Sequence, residues 1–200
     1  MVRIKKNNLK LKNKIFLKSS LGNIQLFFID KIFILPNDIQ ILKKNKFIFF
    51  KTSLDLLSLQ LIKNSFFFIK KNKLLLTCNS KKKKNIINLY IKLIKIKIKG
   101  LLQGFKLTLI LKGIGFKSII EKNFLILKLG FSHNISIPIP SNIEIIHQSN
   151  TLIFSSRDYI FLNQFVHYVK NHKKPEPYKG KGLLFKNEKI LQKEGKKSKK

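Results

Sequence analysis

The 200-residue chain carries 42 Lys and Arg against 9 Asp and Glu, a formal charge of +33, with hydrophobic residues at 44%. An excess of that size repels itself and calls for a polyanionic partner, while the apolar fraction excludes a disordered basic tail and implies a folded core under a charged exterior. The lone cysteine, Cys78, excludes an intrachain disulfide and a multi-cysteine metal centre, and no uncharged apolar run reaches the ~18 residues of a membrane span.

Residues 1–14 read as a basic N-terminal arm, with Lys5, Lys6, Lys10, Lys12 and Lys14 among sparse apolar residues. The opening has neither the apolar stretch of a signal peptide nor a long Ser/Arg-rich presequence. A protein of this kind working in an organelle is therefore expected to be made there. Residues 15–18 and 24–28 predict two strands joined by a turn-rich connection. Residues 32–35 predict a strand stopped by Pro36-Asn37-Asp38. Residues 39–42 and 47–50 flank Lys43-Lys44-Asn45-Lys46 as a second hairpin, so the start of the chain predicts one small antiparallel sheet. Residues 54–62 read as a short helix, and residues 66–69 and 74–77 as a hairpin.

Two periods compete between residues 85 and 102. Ile94, Ile96 and Ile98 alternate with lysines as in a strand. Over a longer window Asn88, Lys92, Lys95, Lys99 and Gln103 form a polar stripe, with Ile87, Ile91, Ile94, Ile98 and Leu101 opposite. The longer pattern predicts a helix, in which only Lys97 falls badly and can snorkel.

Residues 106–111 then predict a strand ended by Gly113-Ile114-Gly115. Residues 117–120 and 124–129 pair across 121–123. Residues 135–140 are extended, and Pro138 and Pro140 make them an edge. Residues 143–146 and 151–154 form a further hairpin. Ser155 or Ser156 caps a helix with Asp158 as an N-terminal charge. Leu162, Phe165, Val166 and Val169 form its apolar face, and Lys173-Lys174-Pro175 ends it. Asn187 caps a last short helix running to Gln192, with Gly195 ending it. The fold class is α+β: two similar small domains, residues 15–100 and 101–172, each an antiparallel sheet packed on a helix. Basic extensions flank them, the second being residues 173–200.

Chemistry concentrates at Lys173-Lys174-Pro175-Glu176-Pro177-Tyr178-Lys179-Gly180-Lys181-Gly182. The prolines forbid a helix, Tyr178 offers a stacking face, the glycines admit a backbone closely, and the lysines supply charge. Together they suit a ribose-phosphate backbone; a solvated basic loop is the plainer alternative. With arginine only at Arg3 and Arg157, phosphate contact is favoured over reading of base edges. Lys196, Lys197, Lys199 and Lys200 add diffuse attraction to a polyanion. Lys81, Lys82, Lys83 and Lys84 are either a nucleic-acid patch or the solvated start of a helix, where four cations oppose the dipole.

Nothing points to catalysis. Gly113-Ile114-Gly115 lacks the third glycine of a dinucleotide fingerprint. His133, His147, His167 and His172 have no histidine partner at helical spacing and no cysteine partner, and the acids form no local pair. No enzyme activity, metal, cofactor or small-molecule substrate is expected.

Residues 175–182, Pro-Glu-Pro-Tyr-Lys-Gly-Lys-Gly, followed by Lys193-Glu194-Gly195-Lys196-Lys197, closely resemble the C-terminus of the large-subunit ribosomal protein six family. Gly104-Phe105-Lys106, Leu111-Lys112-Gly113-Ile114-Gly115-Phe116 and Leu129-Gly130-Phe131-Ser132-His133 resemble the same family in order and spacing. The resemblance spans roughly residues 100–200. It implies two α+β domains, a helix over 85–102, and a structural constituent of the large ribosomal subunit that stabilises large-subunit rRNA beside neighbouring large-subunit ribosomal proteins. It implies that the second domain and its C-terminal loop make the main RNA contact, near the factor-binding side. The RNA-binding residues expected are Lys173, Lys174, Tyr178, Lys179, Gly180, Lys181 and Gly182, with Lys196, Lys197, Lys199 and Lys200. Residues 51–80 exceed the family pattern and read as a lineage-specific expansion facing outward. Lys, Ile, Leu, Phe and Asn dominate and alanine is absent, which points to an A+T-rich genome. A mitochondrial matrix ribosome is expected, with a plastid or an A+T-rich bacterial cytoplasm as alternatives. The other classes are a basic membrane-surface protein, which leaves the glycine-proline loop unexplained, and an RNA-binding protein outside the ribosome.

Overall fold

The computed structural model describes residues 14–18, 24–28, 31–34, 36, 38–53, 55–61, 65–70, 73–78 and 83–195. The arm before Lys14, Lys81, Lys82 and the tail lysines Lys196, Lys197, Lys199 and Lys200 lie outside the described residues. The fold is α+β, with antiparallel sheets and, among the described residues, two helices. The chain divides into two units, Met1–Ile98 and Lys99–Lys200.

In the first unit the expected hairpins form, but the strands make three small sheets instead of one. β1 (Lys14–Lys18) pairs with β2 (Ile24–Phe28). β3 (Lys31–Ile34) pairs with β8 (Lys73–Cys78), which also pairs with β7 (Ser65–Lys70). β4 (Gln40–Lys44), β5 (Phe47–Lys51) and β6 (Leu56–Gln60) form the third, with β5 central. The short helix expected over 54–62 is thus strand β6. Leu57 and Leu59 face inward and Leu56, Ser58 and Gln60 outward, a period of two that docks on β5. The segment 51–80 does not simply face outward either. Leu59, Leu74, Leu75 and Leu76 are buried, and β8 is the middle strand of its sheet.

Helix α1 (Lys83–Gln103) confirms the longer period. Its buried positions, among the described residues, are Ile87, Tyr90, Ile94, Lys97, Gly100 and Leu101. Lys97, three residues after Ile94 and four before Leu101, lies on the inner face by helical geometry and is 4% exposed, so it is buried where snorkelling was expected. Gly104, at φ +68°, closes the helix and donates its N–H to the Gly100 carbonyl at 2.9 Å.

In the second unit, β9 (Phe105–Lys112), β13 (Glu144–Gln148), β14 (Thr151–Ser156) and β15 (Gly182–Phe185) form a four-stranded sheet ordered β13-β14-β9-β15. β10 (Lys117–Glu121), β11 (Phe124–Lys128) and β12 (Ile135–Pro138) form a second sheet, with the proline-bearing β12 at its edge as expected. Alternate residues of both sheets, among them Leu109, Leu111, Leu125, Leu127, Leu152 and Phe154, share one core with helix α2 (Tyr159–Asn171). α2 contributes Leu162, Val166 and Val169, with Phe165 at the margin. Its cap is Asp158, not Ser155 or Ser156: the Asp158 carboxylate accepts from Ile160 N–H at 3.1 Å, while the Ser156 hydroxyl oxygen accepts from Asp158 N–H. The short helix expected from Asn187 to Gln192 is absent. The chain makes β15, turns at Lys186-Asn187 and continues without a helix to Gly195.

Candidate nucleic-acid interface

α2 and β15 set the two ends of the basic loop. His172 caps α2, and Pro175 and Pro177 keep the chain from continuing as helix. Backbone bonds then fold the loop on itself. Gly180 N–H donates to Glu176 O at 3.0 Å, Glu176 N–H to Lys181 O at 2.9 Å, and Leu183 N–H to Lys173 O at 3.0 Å. Lys193 N–H reaches back to Pro177 O at 2.9 Å. The loop is therefore closed at its neck and braced by the C-terminal segment.

The glycines serve this closure. Gly180 has φ +64° and Gly182 φ +147°, both conformations that side chains rarely adopt, and both residues are buried. A Cβ on Gly182 would stand 2.6 Å from Pro175 Cα and 2.8 Å from its nitrogen, which are backbone atoms that cannot rotate away. A Cβ on Gly180 would meet flexible side-chain ends, Gln192 Nε2 at 2.9 Å and Lys112 Nζ at 3.7 Å. The sequence pointed to glycines that admit a partner's backbone; here the close approach is the protein's own.

What the loop displays is charge and one ring. Lys174 and Lys179 are exposed, Lys173 and Lys181 half-buried, and Tyr178 is 60% exposed. Lys173 Nζ lies 4.6 Å from the centre of the Phe131 ring, and His133 stacks on that ring at 6.1 Å and 20°. The structure thus brings the loop after β11 to the base of the basic loop. The sequence offered Phe131 and His133 only as members of a family-like run; the contact with Lys173 was not legible there, and Phe131 is 43% exposed beside that lysine.

A clasp holds the far side. Lys170 Nζ contacts the Glu188 carboxylate at 2.6 and 2.7 Å, Phe185 N–H donates to Glu188 Oε2 at 3.0 Å, and Lys170 Nζ lies 4.7 Å over the Phe185 ring. The hydrogen bond from Lys170, helped by the Phe185 amide and opposed by burial, holds the Glu188 carboxyl below its ordinary value. Among the described residues no group of three or more His, Cys, Asp or Glu could hold a metal, and no helix is long and apolar enough to cross a membrane. The arrangement can present cations and an aromatic face to a polyanion from a backbone fixed by glycine, proline and strand.

No family model matches the chain. Among curated proteins, Campylobacter jejuni large ribosomal subunit protein uL6 is 43% identical over 101 residues, 50% of this chain and 57% of that protein. Large ribosomal subunit protein uL6c of Phaeodactylum tricornutum is 39% identical over 112 residues, 56% and 63% of the two chains. That of Thalassiosira pseudonana is 40% identical over 118 residues, 58% and 63%. The chain thus spans less than two thirds of the length of these relatives. These matches, at about 40% identity over half of its length, support a relationship to the large ribosomal subunit protein uL6 family.

Proposed function

We propose that the chain is a structural, non-enzymatic constituent of a large ribosomal subunit that binds large-subunit rRNA through the loop of residues 173–182. The names of the uL6 relatives support the ribosomal reading. The observation that carries the RNA reading is a loop closed by its own buried glycines, with Lys174, Tyr178 and Lys179 displayed outward. Lys173, Lys179 and Lys181 neutralise phosphates, and Tyr178 stacks on a base or ribose. Gly180 and Gly182 act by shaping the loop, and Lys196, Lys197, Lys199 and Lys200 add unshaped attraction. Neighbouring large-subunit proteins are the other partners. The relatives named are bacterial and plastid, which supports an organellar or bacterial ribosome and adds nothing specific to a mitochondrial one.

The test is rRNA binding as a function of salt. Replacing Lys179 and Lys181 with alanine flattens the slope of log affinity against log salt by about 1.5, the two contacts removed at roughly 0.7–0.9 each. Gly182→Val lowers affinity with the slope unchanged, because it breaks the loop's closure and leaves the charge in place. If Gly182→Val binds as wild type does, the shaped-loop reading fails and a diffuse basic tail replaces it. Co-migration with large subunits on a gradient separates the ribosomal reading from a membrane-surface one, which instead predicts vesicle binding that RNA does not displace.

A further inference from the structure

The register of the β4-β5-β6 sheet sorts its residues onto two faces. Ile41, Phe50 and Leu57 stand in one row and Ile48 pairs with Leu59 in the next, with Ile48, Phe50 and Leu59 buried. The other face carries the rows Gln40–Lys51–Leu56, Leu42–Phe49–Ser58 and Lys44–Phe47–Gln60. An outward face of an antiparallel sheet is ordinarily polar, yet Phe47 is 40% exposed and its ring centre lies 6.3 Å from that of the half-buried Phe49. The two rings, with Lys44, Asn45 and Lys46, line an open cleft of about 500 Å³. No acidic residue occurs in the three strands or in the turn between β4 and β5, whereas Lys44, Lys46 and Lys51 do.

We propose that this face is a second nucleic-acid contact, stacking an unpaired base of single-stranded RNA on Phe47 and Phe49 while Lys44, Lys46 and Lys51 hold the flanking phosphates. Aromatic rings between lysines on an exposed sheet are a sequence-tolerant platform, since every base has a π-face and every linkage an anion. The charge complements a polyanion. A protein neighbour would instead be drawn to Leu42 and Leu56, exposed at 55% and 56%, but neither lines the cleft. The contact uses no part of the loop of residues 173–182 and goes beyond it.

The experiment measures binding of the full-length chain to a mixed-sequence single-stranded RNA of about a dozen nucleotides. It is run at about 0.5 M salt, where diffuse lysine attraction is suppressed and stacking remains. Phe47→Leu keeps the apolar bulk and removes the ring, and it weakens binding about tenfold. Phe47→Tyr keeps the ring and binds within twofold of wild type. In a separate salt series Lys44→Gln with Lys46→Gln flattens the slope of log affinity against log salt, and ultraviolet cross-linking places RNA adducts on the peptide spanning residues 47–51. Wild-type binding by Phe47→Leu overturns the proposal and leaves a protein neighbour to cover Leu42 and Leu56. Equal losses in the leucine and tyrosine variants overturn it as well, since packing and not stacking is then at stake. The Lys179→Ala, Lys181→Ala protein runs in parallel. A loss there alone overturns this contact and spares the loop, while a loss at Phe47→Leu alone supports this contact and leaves the loop to its own rRNA salt test.

Discussion

At Gly182 one absent methyl group holds a ten-residue loop together, because Pro175 occupies the space where a Cβ would stand. The residue type was legible in the sequence, but its reason required knowing that Pro175 folds back across it. Lys97 is a similar case. Spacing places it with Ile94 and Leu101, while its charge argues for solvent, and burial prevailed. Ser118 shows a cost at the same scale. It is 3% exposed, and its hydroxyl has no hydrogen-bond partner among the described residues. A buried polar group left without a partner costs about 1–3 kcal/mol, so Ser118→Ala is expected to stabilise the protein by about 1 kcal/mol. Chemical denaturation checks this, with a raised midpoint at unchanged slope; a lowered midpoint would mean that the hydroxyl is satisfied.

Hairpins were legible as elements because their signals are local. The two-residue turns opened by Asn45, Lys122 and Ser149, each at positive φ, sit between strands of alternating residues. Lateral partners were not legible. β3 finds β8, and β9 finds β15, across long stretches of chain, and strand periodicity is the same whichever neighbour is chosen. The clasp between α2 and the segment after β15 is of this nonlocal kind and makes a pH prediction. The Glu188 carboxyl lies below its ordinary value of 4.5 because Lys170 and the Phe185 amide favour its charged form. A carboxyl lowered in the folded state contributes stability that is fully present above its unfolded value and is lost as pH falls through its folded value. Glu188→Gln is therefore expected to cost about 1 kcal/mol at pH 7, discounted for partial exposure. Thermal unfolding of both proteins from pH 7 down to pH 3 should show the gap closing below about pH 4.5, whereas a constant gap would assign the loss to packing.

At the scale of the whole chain, the C-terminal segment is part of the second unit's architecture as well as its basic surface. Leu183 is fully buried and Leu184 is 7% exposed, and β15 is an edge of the four-stranded sheet. Ending the full chain after residue 175 removes both leucines, whose burial stabilises by about 1.5–3 kcal/mol each. Ending it after residue 195 removes only lysines and a serine. The longer truncation is expected to lower the unfolding midpoint sharply and to expose the β9 amides that face β15 to hydrogen exchange, and the shorter one to leave both unchanged. Equal stability of the two would show that β15 merely lies against the sheet.

By itself the sequence determined the α+β class, helices α1 and α2 and most strands, the lone cysteine, and the basic loop with its family resemblance. All of these follow from residue spacing, turn chemistry and charge, which act within a few residues of one another. Tertiary structure alone decided that Leu56–Gln60 is a strand, because β5 offers its backbone a partner. It decided that Asp158 caps α2 and that Lys97 goes inward. It also decided that Gly182–Phe185 is a strand and that Gly180 and Gly182 close the loop on itself. Each of these depends on what a distant part of the chain places alongside, and no local pattern carries that information.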